Sequence, residues 1–248
     1  MPIKLTKYGI REWLGCGIIA FGLLAINIYF SNAYQFAAPG LAISVLIVLV
    51  WLAIAAFFRD PKRTLPKDID ALLSPADGVV RDIELIKAPP IGCFDGKDAL
   101  RVGIFLSVLD VHLNRAPCDV HIEFEQYKKG KFHDARNSKA SKENESMTIG
   151  GIAKIEDKEF PIAIRQISGA IARRIVCPVK IGHSLCKGEI YGMIKFGSRT
   201  ELYLPATPDI KVAVKIGDRL FAGSSIIARV IEEKVDEKVE MEESGKAN

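Results

Sequence analysis

The apolar positions of this chain fall into two regimes. From Trp13 to Phe58 no Asp, Glu, Lys or Arg interrupts the sequence, whereas everything after Arg59 mixes charged and apolar residues. The uncharged region divides at the polar link Ser31–Pro39 into two stretches of 18 residues, Trp13–Phe30 and Leu41–Phe58. As helices each would span roughly 27 Å, just short of a ~30 Å hydrocarbon core, and the pattern predicts a two-helix membrane hairpin. A cleaved signal peptide fits poorly, because a second apolar stretch follows the first at once. Two buried helices of a soluble domain would give the same pattern, but a domain of this size rarely hides two. Lys4, Lys7 and Arg11 precede the first span, Arg59, Lys62, Arg63 and Lys67 follow the second, and the connecting loop is uncharged. The positive-inside rule therefore places both ends, and the body that follows, on the cytoplasmic face of the cell (inner) membrane. Trp13, Tyr29, Tyr34 and Trp51 supply candidate interface anchors.

Beyond the spans the periodicity changes. Phe57–Pro66 (FFRDPKRTLP) carries two prolines in a basic stretch and reads as an extended linker. Leu100–Leu106, Ile122–Tyr127, Pro161–Ile167 and Glu201–Leu204 are short runs of apolar, β-branched or aromatic residues separated by Gly, Pro, Asn and Asp. That rhythm predicts a mainly β (α+β) body of barrel or sandwich type. Lys215–Val230 predicts three strands joined by Gly-Asp and Ala-Gly turns, while Ile167–Ile175 fits a short helix or a turn equally well. The expected organisation is a hairpin over 1–58, a body over 59–231 and a disordered acidic tail over 232–248. All the chemistry is expected in the body, so removing residues 1–58 should leave a soluble unit that still performs its own processing.

Composition sharpens this picture in two respects. Charged residues make up 26% of the chain although its mean hydropathy is +0.17, which only the segregation above reconciles. The net charge is +4, yet the tail holds seven acids against three lysines, so the remainder carries about +8. Excess positive charge favours anionic partners, and beside an apolar hairpin these are lipids; no nucleic-acid partner is expected. Five cysteines without a C-x-x-C pair point to free, mostly buried thiols in a reducing compartment and to no metal site.

Three segments carry candidate chemistry. Ser74–Val79 (SPADGV) is a turn signature. In Phe105–Pro117 (FLSVLDVHLNRAP) a histidine follows an aspartate by two residues, so an extended backbone would point Asp110 and His112 to one face. In Gly192–Pro205 (GMIKFGSRTELYLP) Gly-Ser separates two strand-like runs, as an ordinary hairpin turn would. Each alone is unremarkable.

Taken together they resemble the phosphatidylserine decarboxylase family, particularly its short bacterial and archaeal-like members. The matching stretches are FFRDPKRTLP, SPADG, FLSVLDVHLNRAP, YKKGKF (Tyr127–Phe132), KENE (Lys142–Glu145), QISGAIARRIV (Gln166–Val176) and MIKFGSRTELYLP, in family order across Phe57–Pro205. The resemblance implies a self-cleaving proenzyme. Ser198 would attack the Gly197 carbonyl, moving the acyl group from nitrogen to oxygen. Loss of the Ser198 α-proton would then expel the Gly197 carboxylate, and the resulting dehydroalanine would take up water and shed ammonia to leave a pyruvoyl group. A chain of 197 residues and one of 51 would remain paired as a heterodimer, with further dimerisation left open. The pyruvoyl cofactor would form a Schiff base with phosphatidylserine and release CO₂ to give phosphatidylethanolamine, because no side chain is an adequate electron sink.

The same resemblance assigns roles. His112 would transfer protons, its unperturbed pKa of about 6.5 suiting both directions near neutrality. Asp77 would orient or charge-stabilise the base that activates Ser198. Many relatives carry a second histidine three positions on, as D-Y-H-x-x-H, where this chain has Arg115, so His112 would serve both stages. Asp110, Asn114, Arg115, Asn144 and Glu145 are supporting candidates, and Arg173 and Arg174 are candidates for the substrate's phosphate or carboxylate. His121 and His183 read as surface or loop residues, and His133 as a residue near the site at most. Two rival readings share parts of the pattern. A pyruvoyl enzyme for a soluble amino acid would have no use for a hairpin, and a membrane-tethered β-domain adaptor would keep Gly197-Ser198 as an uncut turn.

Overall fold

The structure is a computed structural model describing residues 4–134, 138–170, 174–195 and 197–231. The acidic tail and Arg173 lie outside the described residues. Helix α1 (Ile10–Ala33) and helix α2 (Ala37–Phe57) form the expected hairpin, but each is longer than its uncharged core suggested. With 24 and 21 residues they extend about 36 and 32 Å, enough for a hydrocarbon core. The link shrinks to Tyr34–Phe36 because Pro39 sits in the first turn of α2, where a missing N–H breaks no helical bond. Asn27 donates to the Gly40 carbonyl (2.7 Å) and to Ser44 (2.9 Å) across the pair, and Trp13 stacks on Trp51 at 5.1 Å. Most of the remaining hairpin surface is apolar and exposed, as suits helices facing lipid.

The body is mainly β and sandwich-like, not a closed barrel. Its strands are β1 (Ala71–Leu73), β2 (Gly78–Ile86), β3 (Ala99–Leu106), β4 (Leu113–Arg115) and β5 (Asp119–Lys128). There follow β6 (Ser146–Ile155), β7 (Lys158–Ile167), β8 (Arg174–Val176), β9 (Ser184–Leu185) and β10 (Ile190–Lys195). The last four are β11 (Ser198–Pro205), β12 (Ile210–Val212), β13 (Arg219–Leu220) and β14 (Ile226–Val230). Eight strands pair in the order β13-β2-β3-β11-β7-β6-β5-β9, and two three-stranded sheets, β1-β14-β12 and β4-β10-β8, complete the body. Strand alternation builds the core: Val102, Ile104 and Leu106 of β3 and Leu202 and Leu204 of β11 share one cluster with Leu72 of β1 and Tyr191 of β10. Of the three strands expected over Lys215–Val230 the first, near Lys215, is absent, since β12 ends at Val212 and Lys215–Asp218 forms a turn. Residues 168–170 of the undecided segment have no regular structure, and β8 occupies its end. Of the five free thiols only Cys118 is fully buried and Cys186 is exposed, so the expectation of mostly buried cysteines is too strong.

Hairpin and body are packed together. Residues 4–8 return beside the end of α2, with Leu5 bridging Arg59 and the Thr6 N–H donating to the Phe58 carbonyl (2.9 Å). Phe57 and Phe58 are buried in a cluster with Val111, Leu113 and Met193 of the body. The expected boundary at residue 58 therefore runs through a packed interface, because two adjacent rings at a helix end must bury somewhere and the nearest apolar surface is the body.

Candidate active site

The Gly197–Ser198 bond lies where the chain leaves one sheet for another. Strand β10 belongs to the β4-β10-β8 sheet, and β11 runs in the centre of the large sheet between β3 and β7. Gly197 makes the crossing with φ +54°, a left-handed conformation that costs glycine little and other residues more. Ser198 starts β11 opposite Leu106 and is fully buried. Its Oγ finds no hydrogen-bond partner among the described residues, an uncommon condition for a buried hydroxyl. The hairpin-turn alternative fails on topology, since β10 and β11 do not pair with each other.

His112 reaches this crossing from the other side. Its Nδ1 lies 2.8 Å from the Asp110 carbonyl, which can only accept, so Nδ1 carries the proton. Nε2 is then the bare nitrogen, and it accepts the Gly197 N–H at 3.2 Å. Gly197 N is two bonds from the carbonyl carbon that precedes Ser198. The ring is fully buried beneath Phe57, with ring centroids 4.4 Å apart. Burial is the main reason its pKa falls from 6.5 to about 4, only partly opposed by Asp110, so the imidazole is neutral near pH 7.

Asp110 closes a turn, so the condition under which Asp110 and His112 would share a face is not met. The Asp110 carboxylate accepts the Ser107 N–H and hydroxyl, both at 2.8 Å, and closes a turn over Ser107–Asp110. Its other oxygen pairs with Arg219. Asp110 thus holds His112 through its backbone, while its side chain braces the turn.

Asp77 makes no contact with the imidazole. Its carboxylate takes the Arg63 guanidinium at 2.6 Å and the Ala222 N–H at 2.8 Å. Burial raises its pKa, with Arg63 and the Ala222 bond acting against the rise. The SPADG turn has a clear local purpose: a Cβ on Gly78, at φ +149°, would collide with the Phe105 carbonyl, so only glycine lets β2 lie against β3 there.

The supporting candidates divide into two groups. Asn114 is buried under β11, donating to Thr200 Oγ1 (3.0 Å) and the Pro75 carbonyl (3.2 Å) and accepting from Gln166 (2.8 Å). Thr200 shares the face of β11 with Ser198, so this network supports the floor of the site. Asn144 donates to the His133 and Ser168 carbonyls (2.8 and 2.7 Å). One step beyond the last rung, Arg199–Ile167, stand Ser198 and Ser168, so Asn144 braces the strand end flanking Ser198. Arg115 and Glu145 face elsewhere. Arg115 ties Asp60 of the linker (3.0 Å) to the Gly188 carbonyl (3.0 Å), and the Glu145 carboxylate accepts the Tyr127 hydroxyl (3.1 Å). His133 lies 3.1 Å from Glu143, and His121 and His183 sit on the surface.

Several site residues went unread in the sequence. Phe57 roofs His112, Arg63 pairs Asp77, and Lys195, two residues before Gly197, forms an ion pair with Glu12 in the first turn of α1. Arg199 is clamped by Asp82 through two bonds of 2.7 Å and by Glu201 at 2.9 Å.

Comparison with known proteins agrees with this geometry. A sequence model of the family described as phosphatidylserine decarboxylase matches residues 52–228. A "phosphatidylserine decarboxylase proenzyme" of Carboxydothermus hydrogenoformans is 43% identical over 188 residues, 76% of this chain and 84% of that one. Proteins of the same name from Rhodopirellula baltica and Chlorobium phaeobacteroides are 40% and 36% identical, the latter over 90% of this chain and 99% of its own length. The glycine-serine crossing, the buried imidazole beside it and these relatives agree: this chain belongs to the phosphatidylserine decarboxylase family.

Proposed function

We propose that the chain is a membrane-anchored phosphatidylserine decarboxylase that splits itself between Gly197 and Ser198. The observation that carries this reading is the fully buried Ser198 hydroxyl, unpartnered among the described residues, next to a left-handed glycine whose N–H is held by an unprotonated imidazole nitrogen. A buried hydroxyl without a partner forfeits stability, and its retention fits a nucleophile. Ser198 Oγ forms a bond to the Gly197 carbonyl carbon as the Gly197–Ser198 C–N bond breaks, and His112 Nε2 takes the hydroxyl proton and returns it to the departing nitrogen. Removal of the Ser198 α-proton then breaks the Cβ–Oγ bond, frees Gly197 as a carboxylate, and, with one water consumed and one ammonia released, leaves a ketone at position 198.

The residues fit the pyruvoyl group so formed, since Ser198 sits at a strand start with its neighbours fixed. That group supplies the carbonyl electron sink that decarboxylation of an amino acid requires. His112 then holds or returns the proton at the substrate's α-carbon. The Asp82–Arg199–Glu201 clamp ties the new chain end to β2 across β3. Arg174 is exposed and paired in register with Lys195, two residues ahead of Gly197, where its guanidinium suits a phosphodiester. The hairpin crosses the inner membrane with the body on the cytoplasmic side, so a two-chain lipid reacts without leaving the bilayer. The two cleavage chains stay together as a heterodimer.

Intact-mass measurement tests this directly. Wild type should give two chains, the smaller lighter by one ammonia than a serine-initiated peptide and blocked to N-terminal sequencing, and should release CO₂ from phosphatidylserine. Ser198→Ala should remain one full-length chain with no activity; a split Ser198→Ala protein would end the proposal.

A further inference from the structure

Among the described residues no large apolar side chain is more exposed than Leu109, at 83%, and its neighbour Val108 is 45% exposed. Both sit at the tip of the Ser107–Asp110 turn, outside the hairpin. The turn is built to keep them there. Asp110 accepts two bonds from Ser107, pairs with Arg219, and donates its own N–H to the Ser107 carbonyl at 3.0 Å. An isolated exposed leucine is ordinary, but one braced outward by a buried carboxylate is a presented surface.

Position identifies what it meets. Arg59, two residues past the end of α2, bonds the Ala56 carbonyl (2.7 Å) with one nitrogen and the Leu109 carbonyl (2.6 Å) with the other. Leu109 therefore lies one guanidinium from the level at which α2 leaves the bilayer. Lys4, Lys7, Arg11 and Lys62 around the same hairpin end are exposed, as cations meeting anionic headgroups would be. The inner side of the turn faces the reaction: Val108 Cγ2 is 3.9 Å from where a Gly197 Cβ would stand, the only heavy atom of the described residues within 4 Å outside that residue's chain neighbours.

We infer that Val108 and Leu109 form a lip that dips into the anionic lipid surface and joins it to the Gly197–Ser198 site, so that phosphatidylserine enters along this turn. This rests on the decarboxylase reading above and adds the route by which a bilayer substrate reaches a buried site. The hairpin anchors the protein; the lip engages the surface from which the headgroup is drawn.

The test uses the full chain reconstituted in phosphatidylserine-containing vesicles, beside a short-chain phosphatidylserine kept monomeric in water. For Leu109→Asp, self-processing should be complete and the ratio of vesicle to monomer turnover should fall by at least about tenfold relative to wild type, the scale of losing one leucine's burial. Leu109→Trp should keep the wild-type ratio and add emission that brominated acyl chains quench, measured against the wild-type background of Trp13 and Trp51. An unchanged ratio in Leu109→Asp, an equal loss on both substrates, or unquenched added emission would overturn the lip. A wild type that neither splits nor releases CO₂ from either substrate would instead overturn the function on which it rests.

Discussion

At His112 a group that ordinarily titrates near neutrality is kept neutral by burial under Phe57, and this has a measurable sign. The folded pKa of about 4 lies below the ordinary 6.5, so between these values the unfolded chain binds more protons than the folded one. The stability from burying a neutral ring is intact above that window and is lost as pH falls through it, by roughly 3 kcal/mol at its lower end. Denaturant midpoints of the uncut Ser198→Ala protein between pH 7 and 4 should fall accordingly, and the fall should shrink when His112→Gln is added; an equal fall in both would remove His112 as its cause. Asp77, raised by burial, works in the opposite direction, which is why the paired comparison is needed. That Gly197-Ser198 and His112 should be considered together was legible in the sequence, because Gly-Ser and Asp-x-His stood in family order, and the structure brings Gly197 N–H onto His112 Nε2. What surrounds them was not. Asp77's tie to Arg63 and Ala222 and Asn114's tie to Gln166 and Thr200 join residues 14 to 145 positions apart. Nothing local in a sequence announces such pairings.

Among the elements, the apolar hairpin packs against the residues proposed for the site. Phe57 packs tilted against His112, the Lys195 ammonium sits 5.7 Å from the centre of the Phe58 ring, and Lys195 pairs with Glu12 in α1. Both helices thus touch the strand that delivers Gly197. The expectation of a body that processes itself without residues 1–58 gives way to a different one. Phe57→Ala in the full chain should slow self-cleavage by about tenfold or more, since a buried Phe-to-Ala change costs several kcal/mol and its cavity here opens onto the imidazole. Phe57→Leu, which keeps most of the apolar contact, should stay near the wild-type rate. Time courses of band conversion on a denaturing gel decide it, and equal rates for Phe57→Ala and wild type would detach the hairpin from the chemistry. The spans were readable from charge exclusion alone, and four strands from their β-branched runs. Helix ends were not, because Pro39 is harmless in a first turn and the charged Arg11 and Glu12 lie within the helix.

In the whole molecule, the segment after the cut is woven into two sheets. Strand β11 lies between β3 and β7, and β14 lies between β1 and β12. After cleavage the two pieces should co-elute in every non-denaturing separation and part only in strong denaturant; dissociation in mild buffer would contradict the described pairing. Under the proposed function, the same arrangement makes the cut a certificate of folding. His112 arrives on the approach to β4, Gly197 leaves β10 and Ser198 opens β11, so the reacting groups meet only after separate sheets have assembled around them. On the proposed function a misfolded copy should keep its bond and gain no ketone. The ratio of long chain to uncut precursor in a cell extract therefore counts correctly built molecules, and any destabilising substitution, however remote, should register there before it registers in turnover per processed copy.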